Sequence, residues 1–367
     1  MQFSSCKKTG EDPVLLPATT YPEEILAAPM PVALADRNKA GEILKLNYAG
    51  DSLYRQMFAS TIIDFKRWVI NGKIRYSYVQ YEESFSIKDA GYLPGAVVVT
   101  DEYMNELQRI HLLPYGTRTA NDPNAVDGHD FILVADNHYI VIAYYLKEVD
   151  NIPASLNPIV GCKVIAPIIQ EVKNGTVIWE WDGTDYPEFY TTSIEGNKFS
   201  TDTVLHDYMH INAITIDKKD NNLICSFRNL DQVLKLNRTT GDIIWRLGGK
   251  NSDFILTEDQ KFLRQHHPTF ADNGETLVLF DNGVPITRAY SRVVEFKLDE
   301  AAKKVVSFKS MLLPGNTFCP YMGSVQKTDS GYFIGGGSTP KIWEVSLAGM
   351  LKFEKKLTSA SYRAYKY

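Results

Sequence analysis

The chain has 367 residues, 44% hydrophobic and 23% charged, with a formal net charge of −5 and a pI near 5.9. This is the composition of a globular protein and excludes a disordered or fibrous chain. The acidic balance excludes a broad basic field for nucleic acid, so an anionic ligand needs a local positive site. No run of about 18 apolar residues is present, which excludes a spanning helix.

From the amino end, "MQFSSCKKTGEDP" contains "FSSCKK", which resembles the cleavage box of a bacterial lipoprotein with Cys6 as the lipidated residue, although the apolar stretch that normally precedes such a box is absent. On that reading the protein is exported, to the periplasm or the outer membrane, and attached to a membrane through a lipid on Cys6. The other cysteines, Cys162, Cys225 and Cys319, form no CxxC pair. A zinc ribbon is therefore not expected, Cys225 reads as a buried strand residue, and one long-range disulfide stays open. Residues 1–40, rich in Pro and Ala ("PATTYPEEILAAPMPVALAD"), read as an irregular lead-in, and residues 41–367 as one catalytic domain.

Strand signals then dominate: "GEILKLNY", "STIIDFKRWVINGKIRYSYVQ", "GAVVVTDEY", "DFILVADNHYIVIAYYL", "KVIAPIIQEV" and "GTVIWEWDG". Helical periodicity is nearly absent; only "LTEDQKFLRQH" (255–265) predicts one short helix. Several segments repeat. "HDFILVADNHYIVIAYY" from His129, "HINAITIDKKDNNLICSF" from His210, "HPTFADNGETLVLFDNG" from His267 and "GSVQKTDSGYFIGGGS" from Gly323 each read as a hairpin. Third strands follow ("QVLKLN", "RVVEFKLD", "KIWEVSL"), then fourth strands after a turn ("GDIIWRLGG", "GMLKFEKKL"). Four antiparallel strands repeated every ~50–60 residues indicate a β-propeller. The length holds about six blades, with an insertion of about 25 residues between His129 and His210. The expected fold is all-β, a six-bladed β-propeller.

The first strand of a blade lines the central channel, and the loop that starts it sits at one mouth. His129, His210 and the pair His266/His267 all stand there, so separate blades aim imidazoles at one spot. Asn212 follows His210 by two and is expected on the same face. Arg228 ends the hairpin partner of "HINAI" and should return beside His210. Such a cluster suits an oxyanion, with one neutral His as nucleophile and another as acid and base. It lacks the carboxylate pair of a glycosidase and the nucleophile elbow of a serine hydrolase. No Asp or Glu is evident beside these histidines. His111, His138 and His206 read as surface or loop residues, and His267, preceding Pro268, is expected to face away.

The segments "HINAITIDKKDNNLICSFRNLDQVLKLNRTTGDIIWRLGG", "RQHHPTFADNGETLVLFDNG" and "YSRVVEFKLDE", with the upstream "GHDF", resemble the bacterial arylsulfate sulfotransferases, which need no nucleotide donor. The likeness is clear over about 125–300. It implies a six-bladed propeller and sulfuryl transfer from a phenolic sulfate donor to a phenolic acceptor, with no cofactor and no metal. It further implies His266 as nucleophile, forming a sulfohistidine in a ping-pong cycle. Arg228 would bind the sulfuryl oxygens, His210 and Asn212 would complete that site, and His129 would contact the sulfuryl group or act as acid and base. A second histidine, His267, stands where family members carry a small or polar residue, so it is both a substrate-binding candidate and a rival nucleophile. Competing readings are a metal-dependent hydrolase or lactonase with zinc on His129, His210 and His266, a non-catalytic binding propeller, and a quinoprotein dehydrogenase suggested by "GTVIW" and "GDIIW".

Overall fold

A computed structural model describes residues 21–31, 40–83, 87, 91–118 and 125–367. Cys6 and most of the lead-in lie outside these residues. Six antiparallel sheets form a ring, so the expected six-bladed propeller is what the chain adopts. Blade 1 holds β1 (Ile25–Pro29), β2 (Gly41–Leu46) and β3 (Ser52–Phe58). Blade 2 holds β4 (Ile62–Ile70), β5 (Lys73–Tyr81), β6 (Pro94–Thr100) and β7 (Glu106–Ile110), with β8 (Val126–Asp127) paired to β6. Blade 3 is β9 (Phe131–Ala135), β10 (His138–Glu148), β11 (Lys163–Lys173) and β12 (Thr176–Asp182). Blade 4 is β13 (Ile211–Ile216), β14 (Leu223–Phe227), β15 (Gln232–Leu236) and β16 (Ile243–Gly248). Blade 5 is β17 (His266–Ala271), β18 (Thr276–Asp281), β19 (Arg292–Asp299) and β20 (Lys304–Leu312). Blade 6 is β21 (Ser324–Thr328), β22 (Gly331–Gly335), β23 (Lys341–Ser346) and β24 (Leu351–Lys356). The last strand, β25 (Ser361–Lys366), pairs with β1 and becomes the innermost strand of blade 1.

This closure corrects the boundary placed at residue 41. The ring takes up the chain at Ile25, because "ILAAP" finds β25 on one side and β2 on the other. Its short, two-sided apolar run carries no alternation to announce a strand.

Burial follows position in the blade. The middle strands β6, β14, β15, β18 and β22 are buried throughout, because a neighbouring blade covers each face. The outer strands β3, β20 and β24 alternate between exposed and partly buried residues, as strands with one wet side do. Their charged residues leave the sheet edges unattractive to another strand. Among the described residues, six apolar clusters form, one between each pair of adjacent blades.

The insertion falls between β12 and β13. It carries a 3-10 turn at Gly183–Asp185, the short helix α1 (Glu188–Thr192) and a loop across the channel mouth. The short helix expected at 255–265 does not form. Thr257 and Gln260 close a capping box around a single 3-10 turn, Glu258–Gln260. Phe262 is then drawn into the apolar cluster between blades 4 and 5. Cys162, Cys225 and Cys319 are buried free thiols.

Candidate active site

The inner strands begin at one mouth of the ring, and the residues at or just before those starts surround a cavity of about 900 Å³. His129, His210, Arg228 and His266 line it together, with Tyr362, Met322 and the insertion residues Ile194, Glu195 and Asp207. The His129 and His210 rings stand edge-on with centroids 5.0 Å apart. The ring of Tyr362, just inside β25, packs against two of the histidines, with centroids 5.2 Å from His129 and 6.2 Å from His266.

Each histidine has a different partner behind it. His129 Nδ1 donates to Asp127, whose same oxygen also accepts from the His129 backbone N–H at 3.0 Å. His210 Nδ1 donates to Asp207 Oδ2 at 2.5 Å. A carboxylate only accepts, so both rings carry a proton on Nδ1 and turn Nε2 away from the carboxylates. Carboxylates therefore do accompany the histidines, contrary to the sequence reading. Burial lowers the pKa of His129, while Asp127 pulls it back up. His210 takes the left-handed conformation (φ 53°), and Gly91 (φ 71°) packs over it; a Cβ on Gly91 would lie 3.0 Å from His210 Cε1.

His266 is backed by an amide instead. Asn282 Nδ2 donates to the carbonyls of Cys319 and Met322, both at 2.8 Å. That turns its Oδ1 towards His266 Nδ1, also 2.8 Å away. The His266 proton is thereby placed on Nδ1 and the lone pair on Nε2, which accepts a long contact of 3.3 Å from the Met322 N–H. Burial drives the His266 pKa well below that of an ordinary imidazole; the Asn282 bond opposes this, and the charge of Arg228 adds to it. This ring stays neutral.

Arg228 begins the 3-10 turn after β14, and its N–H donates to the His210 carbonyl at 2.9 Å, so the hairpin does return it beside His210. Its guanidinium binds Asn229 Oδ1 at 2.6 Å and Glu195 Oε2 at 3.1 Å. Arg264 reaches the same Glu195 oxygen at 2.7 Å.

Two candidates lie elsewhere. Asn212 is not in the cavity wall. The register shifts between Ile211 and Ala213, and with His210 left-handed the simple alternation fails. Asn212 Nδ2 instead donates to the carbonyl of Gln265 at 2.8 Å, and its own carbonyl accepts from Tyr362 and Arg363. It ties the residue preceding His266 to the floor of the site. His267 also turns from the cavity, as its alternation with His266 led one to expect. Its Nδ1 faces the backbone of Val325, and its ring packs against Tyr365. His206, read as a surface or loop residue, lies in the loop of the insertion but is buried there and bound to the Thr201 carbonyl.

Beneath the histidines lies a layer of buried charge. Lys66 bridges Asp64 and Asp130; Arg363 bridges Asp130 at 3.0 Å and Asp64 at 3.5 Å. His129 and Tyr362 face the cavity, while the next residues, Asp130 and Arg363, face this layer. Among the described residues, the one acid-rich group with ligand atoms within 4.8 Å of one another is Asp217, Asp220 and Glu300. Lys235 Nζ sits 2.7 Å from all three, so an ammonium already fills that group.

The closed propeller thus brings imidazoles and a guanidinium together at one mouth, a donor set that suits an anionic ligand. The arylsulfotransferase (ASST) family model matches residues 71–359, and the chain belongs to that family. Family membership supports arylsulfotransferase activity in general terms. No curated protein matches. Among solved structures, a Bacteroides caccae protein of unknown function is 12% identical, covering 94% of this chain and 99% of its own, with a TM-score of 0.48. A nidogen/laminin complex is 13% identical, covering 94% and 97%, also at 0.48. A putative 6-phosphogluconolactonase from Bacteroides uniformis is 11% identical, covering 94% and 99%, at 0.47. Likeness at this level carries no functional argument.

Proposed function

We propose that the protein transfers a sulfuryl group from a phenolic sulfate to a phenolic acceptor through a sulfohistidine on His266. The observation that supports this reading most is the amide backing of His266. Asn282 leaves a neutral ring with its lone pair on Nε2, which is the form a nucleophile needs. In the first half-reaction Nε2 attacks sulfur, the S–N bond forms and the bond to the phenolic oxygen breaks. The phenolate leaves with the electron pair and takes a proton from His129. In the second, the acceptor gives its proton to His129, its oxygen attacks sulfur and the S–N bond breaks. Arg228 holds the sulfuryl oxygens, where charge collects in a loose transition state, and His210 joins it when Nε2 as well as Nδ1 carries a proton. Asp127 steadies the imidazolium that His129 must be when the aryl sulfate binds and becomes again when it takes the acceptor's proton; between the two halves the ring is neutral. Tyr362, packed against both His129 and His266 in the cavity wall, limits where an aromatic leaving group can lie.

The test is release of p-nitrophenol from p-nitrophenyl sulfate, with and without phenol. Phenol should accelerate release by wild type, and His266→Ala should abolish it. Intact-mass spectrometry after an alkaline quench should find one added SO₃ in wild type and in His267→Asn, and none in His266→Ala. Release that ignores phenol would identify a sulfatase instead. An SO₃ adduct retained in His266→Ala would move the nucleophile.

A further inference from the structure

We infer that Glu195 is a built-in competitor for the sulfuryl seat, and that Arg264 is a second guanidinium of that seat which Glu195 masks until substrate arrives. The inference rests on the sulfuryl-transfer reading of the cavity.

Glu195 belongs to the insertion between β12 and β13, not to the ring itself. Its Oε2 lies 3.1 Å from Arg228 Nη1 and 2.7 Å from Arg264 Nη1, so one carboxylate oxygen is shared by two guanidiniums. Both arginines also reach Asn229 Oδ1, at 2.6 and 3.5 Å. Arg264 is held there deliberately: its backbone is left-handed (φ 56°), and its N–H donates to Asp231 Oδ1 at 2.7 Å. A conformation of that kind persists in a non-glycine residue only when its surroundings fix it. Arg264 stands two residues before His266, and Arg228 pairs with the backbone of His210. The two guanidiniums thus meet at Glu195, Arg228 from the cavity wall and Arg264 from just behind it.

The insertion delivers Glu195 with equal definition. The Ile194 N–H donates to the Asn229 carbonyl at 3.0 Å, and Asn197 Nδ2 donates to the Ser193 carbonyl at 2.9 Å. Gly196 (φ 65°) presses on the Asp207 backbone so closely that a Cβ would lie 2.2 Å from its carbonyl oxygen. The loop on either side of Glu195 is pinned, while its carboxylate is half-exposed and free to leave.

A carboxylate and a sulfuryl group present similar oxygens to a guanidinium fork. The two cannot occupy the same donors together. Substrate therefore binds by displacing Glu195 into solvent, and apparent affinity falls by the fraction of molecules in which the seat is open. A seat open in about one molecule in ten weakens binding about tenfold.

The experiment is calorimetric titration with inorganic sulfate at fixed ionic strength, beside KM for p-nitrophenyl sulfate. The proteins are wild type, Glu195→Gln, Glu195→Ala and the double variant Glu195→Gln/Arg264→Ala. Both single Glu195 variants should bind sulfate about tenfold tighter and lower KM in parallel, and the Arg264 change should reverse that gain. Sulfate affinity within about twofold of wild type in both Glu195 variants would reduce the contact to a structural ion pair and overturn the proposal. A gain that survives loss of Arg264 would overturn the role of that arginine. If sulfate binds tighter in Glu195→Gln but wild type turns over no aryl sulfate, the seat stands and the sulfuryl-transfer reading falls.

Discussion

Asn282 and His266 form one unit: the amide is oriented by two carbonyls, and the imidazole is oriented by the amide. Asn282→Ala should therefore lower kcat by about 10² or more while changing KM little, as wrong-tautomer variants of triad enzymes do. Single-turnover sulfation of His266, measured by rapid quench, checks this; a normal rate would separate the tautomer from the chemistry.

Asp127 favours the charged form of His129 against the burial that lowers its pKa. Asp127→Asn removes the supporting term, so the His129 pKa falls further. Whichever limb of the pH profile of kcat/KM belongs to His129 should move to lower pH. An Asp127→Asn profile superimposable on wild type would show that His129 does not titrate in the cycle.

Arg228→Ala should reduce kcat/KM by about 10²–10³, the usual cost of one oxyanion donor. Arg228→Lys should recover only part of this, because an ammonium cannot reproduce the planar fork. Steady-state kinetics on p-nitrophenyl sulfate decides it.

The charge layer beneath the histidines ties stability to pH. Burial pushes the Asp130 carboxyl up, but Arg363 and Lys66 outweigh it and hold the pKa down to about 2. A depressed folded-state pKa contributes stability above the unfolded value of about 3.9, and that contribution is lost as pH falls from there towards about 2. Arg363→Met should cost about 3–5 kcal/mol at neutral pH by leaving Lys66 as the one cation for the two buried carboxylates of Asp130 and Asp64. Denaturant titrations at pH 7 and pH 3 should show the difference between variant and wild type shrinking at the lower pH.

Much of this was legible in the sequence because a propeller repeats. Equal places in successive blades put His129, His210 and His266 at one mouth, and hairpin pairing returned Arg228 to His210. The same pairing rule applied to "FDNG" leads to Asn282, since His266 faces Phe280 across β17 and β18. Asp127 and Asp207 stand two and three residues before their histidines, but loop geometry, not period, turns them inward. Asn212 was misdirected because a left-handed residue and a register shift break alternation where the strand begins. β1 escaped notice because its identity comes from β25, more than 300 residues away. The backing of His266 by an amide, and of its neighbours by carboxylates, lives in side-chain packing that no periodicity records.

The last strand carries a consequence for folding. β25 brings Tyr362 to the cavity and Arg363 to the charge layer, and it supplies the inner neighbour of β1. Blades 2 to 6 are each built from strands that lie near one another in sequence, whereas blade 1 is complete only when residues 361–366 reach β1. Until they arrive, Asp64, Asp130 and the first strand stay uncovered, and the histidines lack their floor. Closure of the ring and completion of the cavity floor are therefore a single event, made by the strand that lies furthest along the chain from its partner.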